Sequence, residues 1–258
     1  MLNNILLLII LILVTACGDG SVQSSQSANG SSGIAGSMAR FSIKDDVMYA
    51  IIRDEIQIFD ISESELPKKQ NRLKVDFGIE TLFLHHQYLF VGSQTGVYIF
   101  DTRTSDTLYF ISEFPHVRSC DPVIVQGDYA FVTLRSNSRC WGSKNQLDIL
   151  NISDVYNPTL VMSYPMEEPY GLAVKQNLLF LCDGMGGLKV FNVENKSEII
   201  NTQTFNQINC FDAISYKDTL IVSADFGLLQ FEIKDASLEL LSNIFSSKKL
   251  FSNLKSKI

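Results

Sequence analysis

The sequence predicts an all-β fold: a β-propeller of five four-stranded blades, with a six-bladed or incomplete propeller as the alternative closure. Three observations predict it. A strand motif recurs along the chain at a near-constant interval. Three further apolar segments flank each copy in the same order. The strands carry apolar side chains on both faces, as a blade packed between two neighbours requires.

The recurring strand is EIQIFDIS (55–62), GVYIFDTR (96–103), LDILNIS (147–153), LKVFNV (188–193) and LLQFEI (228–233). Its anchor residues Asp60, Asp101, Asn151, Asn192 and Glu232 stand 41, 50, 41 and 40 residues apart. A period of that length built from strands marks propeller blades. A second strand precedes each anchor strand: VMYAII (47–52), YLFVGS (88–93), YAFVTL (129–134), LLFLCD (178–183) and TLIVSA (219–224). Polar turns lead into it: Asp45-Asp46, His86-Gln87, Gly127-Asp128, Gln176-Asn177 and Lys217-Asp218. Before each turn lies a first strand: ARFSI (39–43), TLFL (81–84), PVIV (122–125), GLAV (171–174) and DAIS (212–215). A fourth follows the anchor: NRLKV (71–75), TLYFIS (107–112), TLVMSY (159–164), EIINTQ (198–203) and LELLSN (238–243). Each repeat therefore reads A-B-C-D, an antiparallel meander.

Two columns of the third strand carry the packing argument. Four residues before the anchor stand Ile56, Val97, Leu147, Leu188 and Leu228; one before it stand Phe59, Phe100, Leu150, Phe191 and Phe231. Three residues apart in a strand means opposite faces. A two-layer sandwich would leave one face polar. Closure is expected to rest on packing of blade 1 against blade 5, since the N-terminal segment offers no spare strand.

The chain has 258 residues and a net charge of −7, and 46% of it is hydrophobic, which argues against disorder. Lys248, Lys249, Lys255 and Lys257 form the one basic cluster, in a C-terminal tail at 246–258. Without them, 17 basic residues face 28 acidic ones, which excludes nucleic acid as an expected partner.

Ile5 to Val14 is an unbroken apolar run, too short to span a bilayer and suited to a signal peptide. It ends in Val14-Thr15-Ala16-Cys17, which resembles the bacterial lipobox. That resemblance implies cleavage of residues 1–16 and lipidation of Cys17, although the first four residues carry no Lys or Arg. Two or three acyl chains hold a protein on a membrane where one does not, at about 0.8 kcal/mol per buried methylene. Residues 17–37 then form a Gly/Ser-rich tether ahead of the propeller at 38–245. The expected location is the cell envelope, anchored to the outer membrane or cell surface.

Four cysteines remain in the exported part. Cys120 and Cys140 bracket blade 3's upper loops and are expected to form a disulfide that pins the insertion 135–146. Cys182 and Cys210 either bridge neighbouring blades or stay as buried thiols. No C-x2-C spacing supports zinc. The same upper face, where the D–A and B–C connections lie, collects Glu80, Asp121 and Asp212 at first-strand entries and Asp183 and Asp225 at second-strand ends. His116, Arg118, Arg135 and Trp141 join them from blade 3. Such carboxylates could hold Ca²⁺ or Mg²⁺, or accept backbone N–H groups. No cofactor and no catalytic residue is predicted.

The pattern resembles the LVIVD-repeat proteins, bacterial surface lipoproteins with propeller folds. The stretches that carry the resemblance include GSMARFSI (36–43), LFVGSQTGVYIFD (89–101), NQLDILNIS (145–153) and SYPMEEPYGLAV (163–174). It implies fold and location and brings no catalytic residues. Two functions are expected. One is a non-catalytic module presenting its upper face to a protein, glycan or small ligand. The other is a metal-assisted, lactonase-like hydrolase using Glu80, Asp121 and Asp212.

Overall fold

The computed structural model describes residues 36–75, 78–116, 122–136 and 142–245. Among these, every regular element is a strand, and the strands form five four-stranded antiparallel sheets. Blade 1 is β1 (Phe41–Lys44), β2 (Val47–Ile52), β3 (Glu55–Asp60) and β4 (Lys68–Lys74). Blade 2 is β5 (Ile79–His85), β6 (Tyr88–Ser93), β7 (Gly96–Asp101) and β8 (Tyr109–Pro115). Blade 3 is β9 (Val123–Gln126), β10 (Tyr129–Leu134), β11 (Gln146–Asn151) and β12 (Thr159–Pro165). Blade 4 is β13 (Leu172–Lys175), β14 (Leu178–Cys182), β15 (Leu188–Asn192) and β16 (Ile200–Phe205). Blade 5 is β17 (Cys210–Tyr216), β18 (Thr219–Ala224), β19 (Gly227–Ile233) and β20 (Leu238–Phe245). Within each sheet the strands pair in chain order, as a meander does.

One local device repeats in every blade. The first hairpin turns on a residue with positive φ: Asp45 (51°), His86 (54°), Gly127 (55°), Gln176 (51°) and Lys217 (53°). Two-residue turns of this hand match the twist of the strands they join. The second turn residue then accepts a hydrogen bond from the backbone N–H just past the anchor. Ile61 donates to Asp46, Thr102 to Gln87, Ile152 to Asp128, Val193 to Asn177 and Ile233 to Asp218, each at 2.8 Å.

The anchor residue itself explains the Phe-Asp motif. The Oδ1 atoms of Asp60, Asp101, Asn151 and Asn192 accept the N–H two residues on, from Ser62 (2.9 Å), Arg103 (2.8 Å), Ser153 (2.9 Å) and Glu194 (2.9 Å). A short acceptor closes this turn, so Asp and Asn alternate freely there. A bulge between third and fourth strands also recurs in all five blades, always just before or near the anchor phenylalanine or leucine. Bulges twist an outer edge away from foreign strands.

Inner strands pack in sequence around the centre, β1 on β5, β5 on β9, β9 on β13 and β13 on β17. The column four residues before the anchor faces the next blade and the column one before it faces the previous blade. Ile56 sits in the core with Leu82 and Phe100 of blade 2, and Phe231 sits with Phe180 of blade 4. Two column members fail to bury: Phe59 is partly exposed and Leu228 is 43% exposed. Both point into the seam between blades 5 and 1. Among the described residues, β17 and β1 make no packing comparable to that of the other inner pairs. Among the described residues, the outward faces at this seam keep solvent exposure, unlike those at the other blade junctions.

A different element crosses the centre. Gly36 and Ser37, assigned to the tether by sequence, are buried. Leu172 N donates to Ser37 Oγ (2.6 Å) in blade 4, and Leu82 N donates to Ala39 O (2.8 Å) in blade 2. A Cβ on Gly36 would lie 3.1 Å from Asp212 Oδ2 in blade 5. The lead-in to β1 thus joins three other blades at the hub.

Cys182 and Cys210 form a disulfide with a Cα–Cα separation of 5.1 Å, stitching the upper end of β14 to the start of β17. Both cysteines are fully buried. Cys120 and Cys140 lie outside the described residues, as do Cys17, Arg118, Asp121 and Trp141.

Candidate binding surfaces

The upper hub gathers several of the residues picked from sequence. Asp212 opens β17 and faces inward against Gly36 and Gly171. A Cβ on Gly171 would meet Asp212 Oδ1 at 2.1 Å and its Cα at 2.8 Å, so only glycine fits there. Burial pushes the Asp212 carboxyl up to about 6, partly offset by the N–H of Ala213 donating to Oδ1 at 2.9 Å. Glu80, on β5, is half-buried, and burial raises its carboxyl as well. Gln94 Nε2 donates to Glu80 Oε1 (3.4 Å), and the guanidinium groups of Arg135 and Arg40 lower it in turn.

Arg135 directly follows β10 and lies 4.0 Å above the ring of Tyr170, a cation–π contact between blades 3 and 4. Tyr170 OH donates to Glu168 Oε1 (2.8 Å), and its ring meets Phe211 edge-on at 5.3 Å. Thr133 Oγ1 donates to the Tyr170 carbonyl at 2.8 Å. These contacts run across the upper face from blade 3 to blade 5.

Asp183 has another role. Its side chain is fully buried, and it accepts the N–H of Glu167 (3.0 and 3.1 Å) and of Glu168 (2.8 Å) while pairing with Lys189 Nζ (2.5 Å). It organises the turn into blade 4 and has no capacity left for a ligand. Asp225 is exposed and accepts only a 3.3 Å bond from Asn209 Nδ2. His116 is half-buried at the end of β8, its N–H donating to Thr95 O at 3.1 Å. Among the described residues, no three His, Cys, Asp or Glu side chains converge to hold a metal ion. Asp121, the third carboxylate of the set expected for a metal-assisted hydrolase with Glu80 and Asp212, lies outside the described residues.

Sequence reasoning placed every candidate on the upper face and missed the lower rim. There, a recess of about 530 Å³ lies between the outer parts of blades 2 and 3, lined by Asp101, Arg103, Tyr109, Phe110 and Tyr156 among others. Asp101 was legible as a repeat anchor. Its neighbours were legible only by aligning the repeats position by position, since nothing in the periodicity requires aromatic residues there.

No protein-family model and no curated protein matches the chain. Solved structures do. A functionally unknown protein from Desulfotomaculum acetoxidans superposes with a TM-score of 0.66 at 10% identity, over 80% of this chain and 69% of that one. BamB from Moraxella catarrhalis superposes at 0.53 and 11% identity, over 80% of this chain and 60% of that one. The periplasmic gluconolactonase PpgL from Pseudomonas aeruginosa superposes at 0.56 and 15% identity, over 79% and 66%. At these identities the likeness speaks for the fold alone, and with the five meanders it establishes that the chain is a β-propeller.

Proposed function

We propose that the chain is a lipid-anchored envelope protein whose propeller is a non-catalytic binding module. One observation carries the reading: three ionisable groups of the upper hub, Asp183, Asp212 and Arg135, are spent on the fold. Asp183 holds a turn, Asp212 packs against the chain's own lead-in, and Arg135 is stacked on Tyr170. Groups kept for chemistry need open access and a reacting partner within hydrogen-bond reach. Anchoring rests on the apolar run and on Val14-Thr15-Ala16-Cys17. Resemblance to LVIVD-repeat lipoproteins agrees with the anchor and the propeller.

The test uses the purified full chain with glucono-1,5-lactone as substrate, in the presence of Ca²⁺ or Mg²⁺. The expected result is no turnover above buffer and no stoichiometric bound metal. Turnover that Glu80→Gln or Asp212→Asn abolishes would replace the module with an enzyme. Palmitate labelling tests the anchor: the wild type takes up label and Cys17→Ala does not.

A further inference from the structure

We propose that the lower-rim recess between blades 2 and 3 binds a neutral saccharide. The inference deepens the module reading above by naming a site and a ligand class. The recess, at about 530 Å³, has the size of small-ligand sites, roughly 300–1,000 Å³. Tyr109 of blade 2 and Tyr156 of blade 3 line it with 56% and 62% exposure. Phe110 pairs across the sheet with Phe100 and turns its ring to that residue, 5.9 Å away on the blade 1 side, so the two tyrosines supply the aromatic surface of the recess.

The other blades serve as internal controls. Opposite their own anchors, the residues in register with Tyr109 and Phe110 are Lys68 and Lys69, Thr159 and Leu160, Ile200 and Asn201, and Glu239 and Leu240. Five residues past the anchor, where blade 3 has Tyr156, blades 1, 2 and 4 have Glu65, Asp106 and Ser197. The fold accepts charged and polar residues at these outer positions. Aromatic residues there are not required by packing, yet two exposed tyrosines, one from each blade, meet around one recess.

The polar part of the recess is fixed in place. Asp101, only 7% exposed, accepts Arg103 Nε (2.7 Å) and pairs with Nη2 (2.5 Å). Arg103 nonetheless keeps 72% of its side chain exposed. A guanidinium has five N–H donors, so this clamp leaves others on the solvent side. The two charges cancel locally, which favours a neutral hydroxyl-bearing ligand over an anion. Sugar rings offer C–H faces to the electron-rich faces of aromatic rings and hydroxyls to the guanidinium. A peptide added as a further strand would need an unbroken edge, and the bulge beside Phe110 interrupts β8 there.

The experiment is saturation-transfer difference NMR on the full chain, with maltotriose, cellotriose and triacetylchitotriose as separate probes and hexaproline as the peptide control. At least one trisaccharide is expected to receive saturation through its ring C–H protons. Tyr109→Ala and Tyr156→Ala are each expected to weaken that binding about tenfold, the loss of one good ring contact. Thr159→Ala, at the position in blade 3 equivalent to Tyr109, is expected to leave it unchanged. Both tyrosines are exposed, so these variants fold. Silence from all three sugars would overturn the proposal. So would sugar binding that survives Tyr109→Ala and Tyr156→Ala, or hexaproline binding that these variants abolish; both would leave the module reading standing. Lactone turnover by the same preparation would overturn the module reading instead.

Discussion

The junction of blades 4 and 5 and the seam between blades 5 and 1 are built from the same repeat and end differently. At the junction, Ala173, Phe180 and Val190 of blade 4 meet Ala213, Val222 and Phe231 of blade 5, all buried. At the seam, Ile214, Tyr216, Ile221 and Leu228 of blade 5, and Phe41, Ile43, Met48 and Ile52 of blade 1, all keep solvent exposure. The side chains are comparably apolar. The difference lies in whether a neighbour is pressed against them, so apolar patterning states what a blade can bury and not what the ring does bury. Closure falls to the lead-in at the hub.

The largest expected effect separates these two places. Phe180→Ala, fully buried at the junction, should cost about 4 kcal/mol of stability, whereas Phe41→Ala, 57% exposed at the seam, should cost less than about 1 kcal/mol. Urea unfolding of both variants checks this, and equal losses would mean the seam is packed as tightly as the junction. Next comes the disulfide. It closes a loop over a sequence separation of 28, and replacing Cys182 and Cys210 together by Ala should cost about 3 kcal/mol. If reductant leaves the wild-type unfolding midpoint in place, the junction owes nothing to that bond.

Asp212 sharpens the comparison at the hub. Its folded pKa, pushed up to about 6, lies above the ordinary value of 3.8. The folded state therefore binds the proton more tightly, and stability falls as pH rises through the folded value. Asp212→Asn keeps an acceptor for Ala213 N and removes the buried charge. It should stabilise by about 2 kcal/mol at about pH 7.5 and by almost nothing at about pH 3.5. A gain that is the same at both values would show that the carboxyl is not held neutral. The smallest effect belongs to a turn that every blade shares. Gly127→Ala meets no atom within 4 Å but must adopt φ near 55°, so it should cost about 1 kcal/mol. A neutral result in thermal unfolding would show that this hairpin tolerates strain, as the turns at Asp45 and Lys217 already do.

Much of the fold was legible because a propeller repeats its local chemistry. The short acidic or amide anchor (Glu232 in blade 5) and the apolar residue before it (Leu150 in blade 3, Phe elsewhere) recur at intervals near forty residues, and those intervals located all five blades. Strand limits were less legible. The fourth strand of blade 1 starts at Lys68 rather than 71, since pairing with β3 reaches back to Asp60 across polar residues that carry no apolar signal. The hub was legible only in part. Glu80, Asp212 and Arg135 were found on the upper face, but Asp183 looked like a ligand when it is a clamp on Glu167 and Glu168. A carboxylate's partner comes from chain folding back, and backbone N–H groups leave no trace in sequence. The burial of Ser37 was hidden for the converse reason: a Gly/Ser stretch reads as linker wherever small residues are also what a narrow centre admits.

That threading through the centre has a consequence for release. On the proposed lipid-anchored form, a protease cutting anywhere upstream of Gly36 would free a domain that retains the residues that knot blade 4 to blade 2. A cut a few positions later, beyond Ala39, would withdraw those residues from the middle and unlatch blade 1 along its weakest margin. Shedding and inactivation would thus be separated by less than one turn of chain.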